Sequence, residues 1–171
     1  MAEANDYPAI NNTLNKAVQV GLVVRDLDST MKALRNIFGF ENFREVTWPI
    51  ERSDMKSEYH GSPGNFKFRI AFTQLGPIEL EIIQPLEGEN IYQDFLESHG
   101  EGLHHLLFEV DDIGQLQKGL EPLGINMIQS GTGIRPGTTW AYFDTASLVG
   151  FFLEVRNRVP GSDGTTPVPS K

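Results

Sequence analysis

A chain of 171 residues with 39% apolar and 22% charged residues is long enough for one domain with a sizeable core. Its net charge of -9 and pI of about 4.8, with no cluster of basic residues, argue against a nucleic-acid or anionic-membrane partner. The absence of cysteine removes disulfides, thiolate zinc sites and cysteine nucleophiles together, and no apolar run approaches the roughly 20 residues that a membrane helix needs. The opening M-A-E-A-N-D-Y-P has neither the charged start nor the apolar stretch of a signal peptide, so a cytoplasmic location is expected.

Residues 1–16 read as a polar arm. Val18 to Val24 then form a strand, and Asp26 or Asp28 caps a helix whose Leu27, Met31, Leu34 and Phe38 recur at helical spacing until Gly39 ends it. Strands follow near Asn42–Trp48, Phe66–Gln74 and Ile78–Gln84. After a connector near residues 85–103 the scheme repeats. His104–Val110 is a strand, and Ile113, Leu116, Leu120 and Leu123 mark a helix closed by Gly124. Strands follow near Asn126–Ser130, Thr139–Asp144 and Gly150–Arg156. Residues 158–171, rich in Pro, Gly and Ser, read as a disordered tail. The expectation is therefore an α+β fold. A single domain over 17–157 contains two βαβββ modules, about 17–85 and 103–157, forming a curved, partly closed β-sheet cavity with helices outside.

Alternation along the strands separates two faces. Val18, Val20, Leu22 and Val24 are expected against the helix, with Gln19, Gly21 and Val23 opposite. By the same reading Phe66, Phe68, Ile70 and Phe72 lie on the helix side, and Lys67, Arg69, Ala71 and Thr73 face the cavity. Glu81, His105 and Glu154 share the cavity face of their strands, as do Trp140 and Tyr142.

Q-V-G-L-V-V-R-D-L (Gln19–Leu27) and H-L-L-F-E-V-D-D-I (His105–Ile113) each open an apolar strand with a metal-capable side chain and end in an aspartate that leads into a helix. Each half later carries a glutamate inside an apolar strand, Glu81 in L-E-I-I and Glu154 in F-L-E-V. A buried carboxylate costs several kcal/mol unless it is paired or metal-bound, so these two carry most weight. Gln19, Glu81, His105 and Glu154 together supply three oxygens and one imidazole nitrogen. That mix suits a divalent ion (Zn, Co, Ni, Mn or Mg) in octahedral geometry with positions left for water or substrate. Such a site stabilises the enolate formed when a carbon next to a carbonyl loses its proton, and Glu154 or Glu81 is the natural base. Lys67 and Arg69 are the expected partners of an anionic substrate, and Trp140 and Tyr142 the wall for its apolar part.

E-L-E-I-I-Q-P-L (Glu79–Leu86) and G-E-G-L-H-H-L-L-F-E-V-D-D-I (Gly100–Ile113) resemble the vicinal oxygen chelate superfamily, which includes glyoxalase I, methylmalonyl-CoA epimerase, extradiol dioxygenases and bleomycin-resistance proteins. The likeness covers about residues 17–157 and is nearest to the epimerases. It implies the paired modules, the ligand set Gln19, Glu81, His105 and Glu154, and a homodimer. Epimerases have histidine where Gln19 stands, and the present set is similar to that of eukaryotic glyoxalase I. The second catalytic glutamate of the epimerases falls near Gly64, in a Pro49–Asn65 loop longer than the family's, where Glu51, Glu58 and His60 are the substitutes on offer. The implied function is a metal-dependent epimerase or isomerase acting on methylmalonyl-CoA or another anionic acyl substrate. A glyoxalase-like lyase and a non-enzymatic small-molecule binder are the rivals.

Overall fold

The first strand-to-helix turn forms because Asp26 caps it. The Asp26 Oδ1 accepts a hydrogen bond from the Ser29 amide at 2.9 Å, and Gly39, at φ 72°, closes the helix in the left-handed conformation. Asp112 caps the second module's helix in the same way, accepting from the Gln115 amide. In the computed structural model, which describes Ile10 and residues 14–158, the first module runs β1 (Ala17–Val23), α1 (Leu27–Phe38), β2 (Arg44–Trp48), β3 (Ser57–Tyr59), β4 (Ser62–Pro63), β5 (Lys67–Leu75) and β6 (Ile78–Glu87). A connecting helix, α2 (Ile91–Ser98), leads to β7 (Gly102–Val110), α3 (Ile113–Leu120), β8 (Met127–Thr132), β9 (Thr139–Phe143), α4 (Ala146–Val149) and β10 (Phe152–Asn157). Most of the expected polar arm and the tail beyond Arg158 lie outside the described residues.

Among the described residues, ten strands form one curled sheet in the order β2-β5-β6-β1-β7-β10-β9-β8-β3-β4. The two modules are mirrored about an antiparallel β1–β7 junction: β1 pairs with β6 in parallel, and β7 with β10 in parallel. Helices α1 and α3 cover the outside. Leu27 and Met31 pack on Ala71, Leu80 and Ile82. Leu116 and Leu120 pack on Ala141, Phe143, Leu153 and Val155. The inside holds a third cluster built on Trp48, Phe68, Ile70, Phe72, Tyr92 and Trp140.

Three features depart from expectation. The second helix was expected to reach Leu123, but Pro122 has no N–H to continue the ladder and Glu121–Leu123 is a 3₁₀ turn. The connector holds α2, capped by Asn90, whose side chain accepts from the amides of Tyr92 and Gln93. The Pro49–Asn65 loop contains the β3–β4 hairpin, turning at His60 and Gly61 with φ 48° and 75°. That hairpin leaves its own module and pairs with β8. Arg52 reinforces the crossing by donating to the carbonyls of Gly133 and Ile134. Half-barrel and strap together enclose the concave face.

The expectation for β5 is corrected. In the antiparallel β5–β6 ladder Phe72 stands opposite Glu81 and Ala71 opposite Ile82. Partners across a ladder share a face, so Phe68, Ile70 and Phe72 point inward. Ala71 meets the outer helix, and Lys67 and Arg69 also leave the cavity face. The large rings fill the concave side, and the small Ala71 lets α1 approach.

Candidate metal centre

Glu81 and His105 reach each other because both flank Gly21. Gly21 stands opposite Glu81 on one side and opposite His105 on the other. The imidazole lies over the glycine, where a Cβ would fall only 1.8 Å from His105 Cε1. Glu154, on β10, approaches from the second module. Its Oε2 lies 3.0 Å from His105 Nε2, and Glu81 Oε2 lies 3.1 Å from the same nitrogen. One ligand atom from each of the three falls within 4.8 Å of the others. All three are buried, His105 at 1% exposure, Glu154 at 6% and Glu81 at 8%.

A single ring N–H can serve only one carboxylate well. It serves Glu81, and Glu154 Oε2 is left in ion-pair contact but without a hydrogen bond. A buried carboxylate oxygen without a hydrogen bond is costly, whereas a divalent cation among these atoms would satisfy all three groups at once. The residues therefore fit a cation. Gln19, 4% exposed, lines the same cavity as Glu81 and Glu154. Its Nε2 donates to Glu79 Oε1 at 2.8 Å, and Arg44 donates to Glu79 Oε2 at 3.2 Å. That network commits the amide nitrogen and leaves the oxygen end for ligation.

The electrostatics follow from burial and proximity. Burial raises the Glu81 carboxyl to about 7, with the hydrogen bond from His105 opposing and the charge of Glu154 adding. Burial opposes the charge on His105, but the close negative charge of Glu154, with the hydrogen bond and charge of Glu81, outweighs it and holds the imidazolium up to about 9. The hydroxyls of Tyr92 and Tyr142, 3.1 Å apart, are both raised well above the ordinary tyrosine range, chiefly by burial. A cation can bind His105 Nε2 only by displacing its proton. Metal affinity is thus expected to rise about tenfold per pH unit between about pH 7 and about pH 9, and more steeply below about pH 7, where Glu81 must also lose a proton. Isothermal titration across that range checks this, and a flat profile would contradict it.

The cavity has a volume of about 60 Å³, room for a few waters or a compact acyl group. Trp140 lines it, and Tyr142 is fully buried beside His105, its hydroxyl 3.4 Å from Nδ1. Lys67 and Arg69 do not line it. Lys67 pairs with Glu87, and Arg69 holds Asp28 of α1 and Glu45 of β2 in bidentate and single contacts. The basic residues that do line the cavity are Arg135 and Arg156, the latter paired with Glu109 at 2.9 Å. Arg156 shares the parity of Glu154, and alternation along β10 accounts for its place there. Arg135 sits in the β8–β9 loop, for which no periodic signal exists. Glu51, Glu58 and His60 of the long loop are exposed, and none lines the cavity. Tyr92 enters from α2, the helix hidden in the connector.

His104 stands next to His105 in β7. It is fully buried and touches the site directly, its Nδ1 lying 2.9 Å from His105 Nδ1.

Comparison with known proteins agrees with the architecture. Residues 18–143 match the family model described as Glyoxalase/Bleomycin resistance protein/Dioxygenase superfamily. The chain is 24% identical over 115 residues to an uncharacterized protein, YqjC, of Bacillus subtilis (strain 168), covering 67% of this chain and 71% of that one. Its fold is similar to that of a hypothetical protein from Bacillus halodurans C-125, with TM-score 0.61, 19% identity, and coverage of 86% of this chain and 97% of the other. It is similar also to a methylmalonyl-CoA epimerase in complex with methylmalonyl-CoA and NH4+, with TM-score 0.61, 20% identity, and coverage of 86% and 96%. The methylmalonyl-CoA epimerase of Mycobacterium tuberculosis gives TM-score 0.62, 17% identity, and coverage of 88% and 92%. With mirrored modules, a curled ten-stranded sheet and a match over most of its length, the chain belongs to the glyoxalase/bleomycin resistance/dioxygenase superfamily.

Proposed function

We propose that the protein is a metal-dependent epimerase or isomerase that removes a proton from a carbon next to a carbonyl, with an acyl-coenzyme A thioester such as methylmalonyl-CoA as its substrate. The observation that carries the reading is the convergence of Glu81, His105 and Glu154 in a buried cavity. Gln19 completes the ligand set through its amide oxygen. A divalent ion held there would supply Lewis-acid charge to the substrate carbonyl.

Glu154 takes the proton, because its carboxylate faces the cavity and its Oε2 makes no hydrogen bond. Returning the proton from Glu154 to a different carbon of the enolate gives an isomerase. Epimerisation needs a second acid–base group on the opposite face, and Glu81, carried by the facing module, is the other carboxyl group at the site. Tyr92, Trp140 and Phe72 exclude water around the reacting carbon. Arg135 and Arg156, not Lys67 and Arg69, meet the charge of an anionic substrate. A homodimer follows the family habit.

The test supplies purified protein with a divalent metal and follows deuterium uptake at the α carbon of methylmalonyl-CoA in D2O, with loss of a glutathione hemithioacetal assayed in parallel. About one tightly held metal per chain and deuterium uptake are expected. Turnover of the hemithioacetal alone would make the protein a glyoxalase-like lyase. Failure to retain any metal would make it a non-enzymatic binder.

A further inference from the structure

We infer that His104 is a positioning residue for the cation site: its Nδ1 accepts a hydrogen bond from His105 Nδ1–H and thereby holds the His105 ring with Nε2 directed at Glu81 and Glu154. The inference rests on the reading of Glu81, His105 and Glu154 as a cation site.

Adjacent residues of a regular strand point to opposite faces, so this contact needs an irregularity. The β1–β7 ladder supplies one. Gly21 stands opposite His105, but Leu22 stands opposite Leu103, so His104 is an extra residue in β7. The bulge brings both rings to the same side, with centroids 5.2 Å apart and the two Nδ1 atoms 2.9 Å apart.

Only one proton fits between two nitrogens at that distance, and its owner is determined by the far side of His105. With a cation present, Nε2 must offer its lone pair, so the proton of the neutral ring sits on Nδ1. His105 Nδ1 therefore donates, and His104 Nδ1 must accept. His104 is therefore neutral, with its own proton on Nε2. Tyr142 does not compete well, because its hydroxyl is 3.4 Å from His105 Nδ1 and lies 3.1 Å from the Tyr92 hydroxyl.

The rest of its surroundings give only a weak reason for a histidine. The ring is fully buried among Tyr92, Phe95 and Phe152, and beyond a backbone contact with Ile91 too loose to count as a hydrogen bond, Nε2 has no partner. A phenylalanine would fill the same space without leaving a buried polar atom unsatisfied. What histidine adds is the Nδ1 lone pair. Partners of this kind fix the tautomer and orientation of metal-bound histidines.

The experiment uses Co²⁺ as the probe and competition with a chelator as the readout. His104→Phe keeps the ring shape and removes the acceptor; His104→Asn loses ring volume but keeps an oxygen near the Nδ1 position. The inference expects His104→Phe to weaken Co²⁺ binding about 10–100-fold and His104→Asn to stay within about threefold of the parent protein. A packing role predicts the reverse order. Unchanged affinity in His104→Phe, or an equal loss in both variants, overturns the inference.

His105→Ala separates the two levels of the argument. If the parent binds Co²⁺ and His105→Ala does not, while His104→Phe binds normally, the cation site stands and the role of His104 falls. If the parent itself fails to bind Co²⁺, both fall. Long-range ¹H–¹⁵N spectra of the Zn²⁺-loaded parent protein, which has four histidines, give a check that no variant's folding can spoil. His104 must show a bare Nδ1 and His105 a protonated one, and the opposite pattern overturns the inference.

Discussion

Glu154→Gln is expected to slow deuterium uptake at the substrate's α carbon by about 10³-fold, within the roughly 10²–10⁴-fold that a positioned base contributes. The substitution preserves shape and an amide oxygen but removes the basicity. The fold should survive, since Glu154 sits in the middle of β10, where its backbone pairs with Leu107 of β7 and Tyr142 of β9 whatever the side chain. Circular dichroism checks that point. The variant also touches a proposed ligand, so the rate has to be read at saturating metal. A rate restored by excess metal would make Glu154 a ligand alone, and a rate that stays low at full occupancy identifies it as the base. Kinetics unchanged under all conditions would remove Glu154 from the chemistry.

The repeat in the sequence singled out Glu81, His105 and Glu154, which the fold brings together, because each lies on a strand whose neighbours alternate cleanly and whose burial leaves a polar side chain conspicuous. β5 shows where that logic stops. K-F-R-I-A-F-T alternates as cleanly as any strand here, and the polar residues were assigned to the cavity. Yet a sheet covered on its outside by α1 and filled on its inside by aromatic rings is buried on both faces. Alternation then distinguishes two faces without saying which is concave. Only the register Phe72–Glu81 does that, and register is a property of two strands rather than one. His104 was hidden for a related reason, since a bulge breaks the alternation from which faces are read.

The β3–β4 hairpin and α2 were more legible than the expectations allowed. His60–Gly61 between short strands is a left-handed turn pair of the Asn-Gly kind, and Asn90 before Ile91, Tyr92, Phe95 and Leu96 is a cap before an amphipathic run. Where the hairpin docks could not be read from its own sequence. Its partner, β8, lies about 70 residues further along the chain, and pairing at such separation is decided by the curl of the whole sheet.

Gly21→Ala tests the packing on which the site depends. The added Cβ would lie 1.8 Å from His105 Cε1 and 2.2 Å from each ring nitrogen, far inside contact distance. The backbone cannot yield easily, because Gly21 is paired on both sides, with Glu81 and with His105. The imidazole must therefore leave its place, and its contacts with Glu81 and Glu154 go with it. Overpacking of this kind costs about 1–3 kcal/mol, or about 2–4 °C of Tm per kcal/mol for a chain of this size. Metal affinity should fall as far as it does in His105→Ala. Gly102→Ala serves as the control, since its Cβ would meet nothing nearer than Phe95 Cζ at 4.0 Å. The decisive comparison is the double variant. With His105 already alanine, the space above Gly21 is empty, so adding Gly21→Ala should cost almost nothing further. The coupling between the two sites then approaches the whole cost of the single Gly21 change. Equal destabilisation by Gly21→Ala in both backgrounds would mean that the glycine serves the strand's backbone and not the histidine above it.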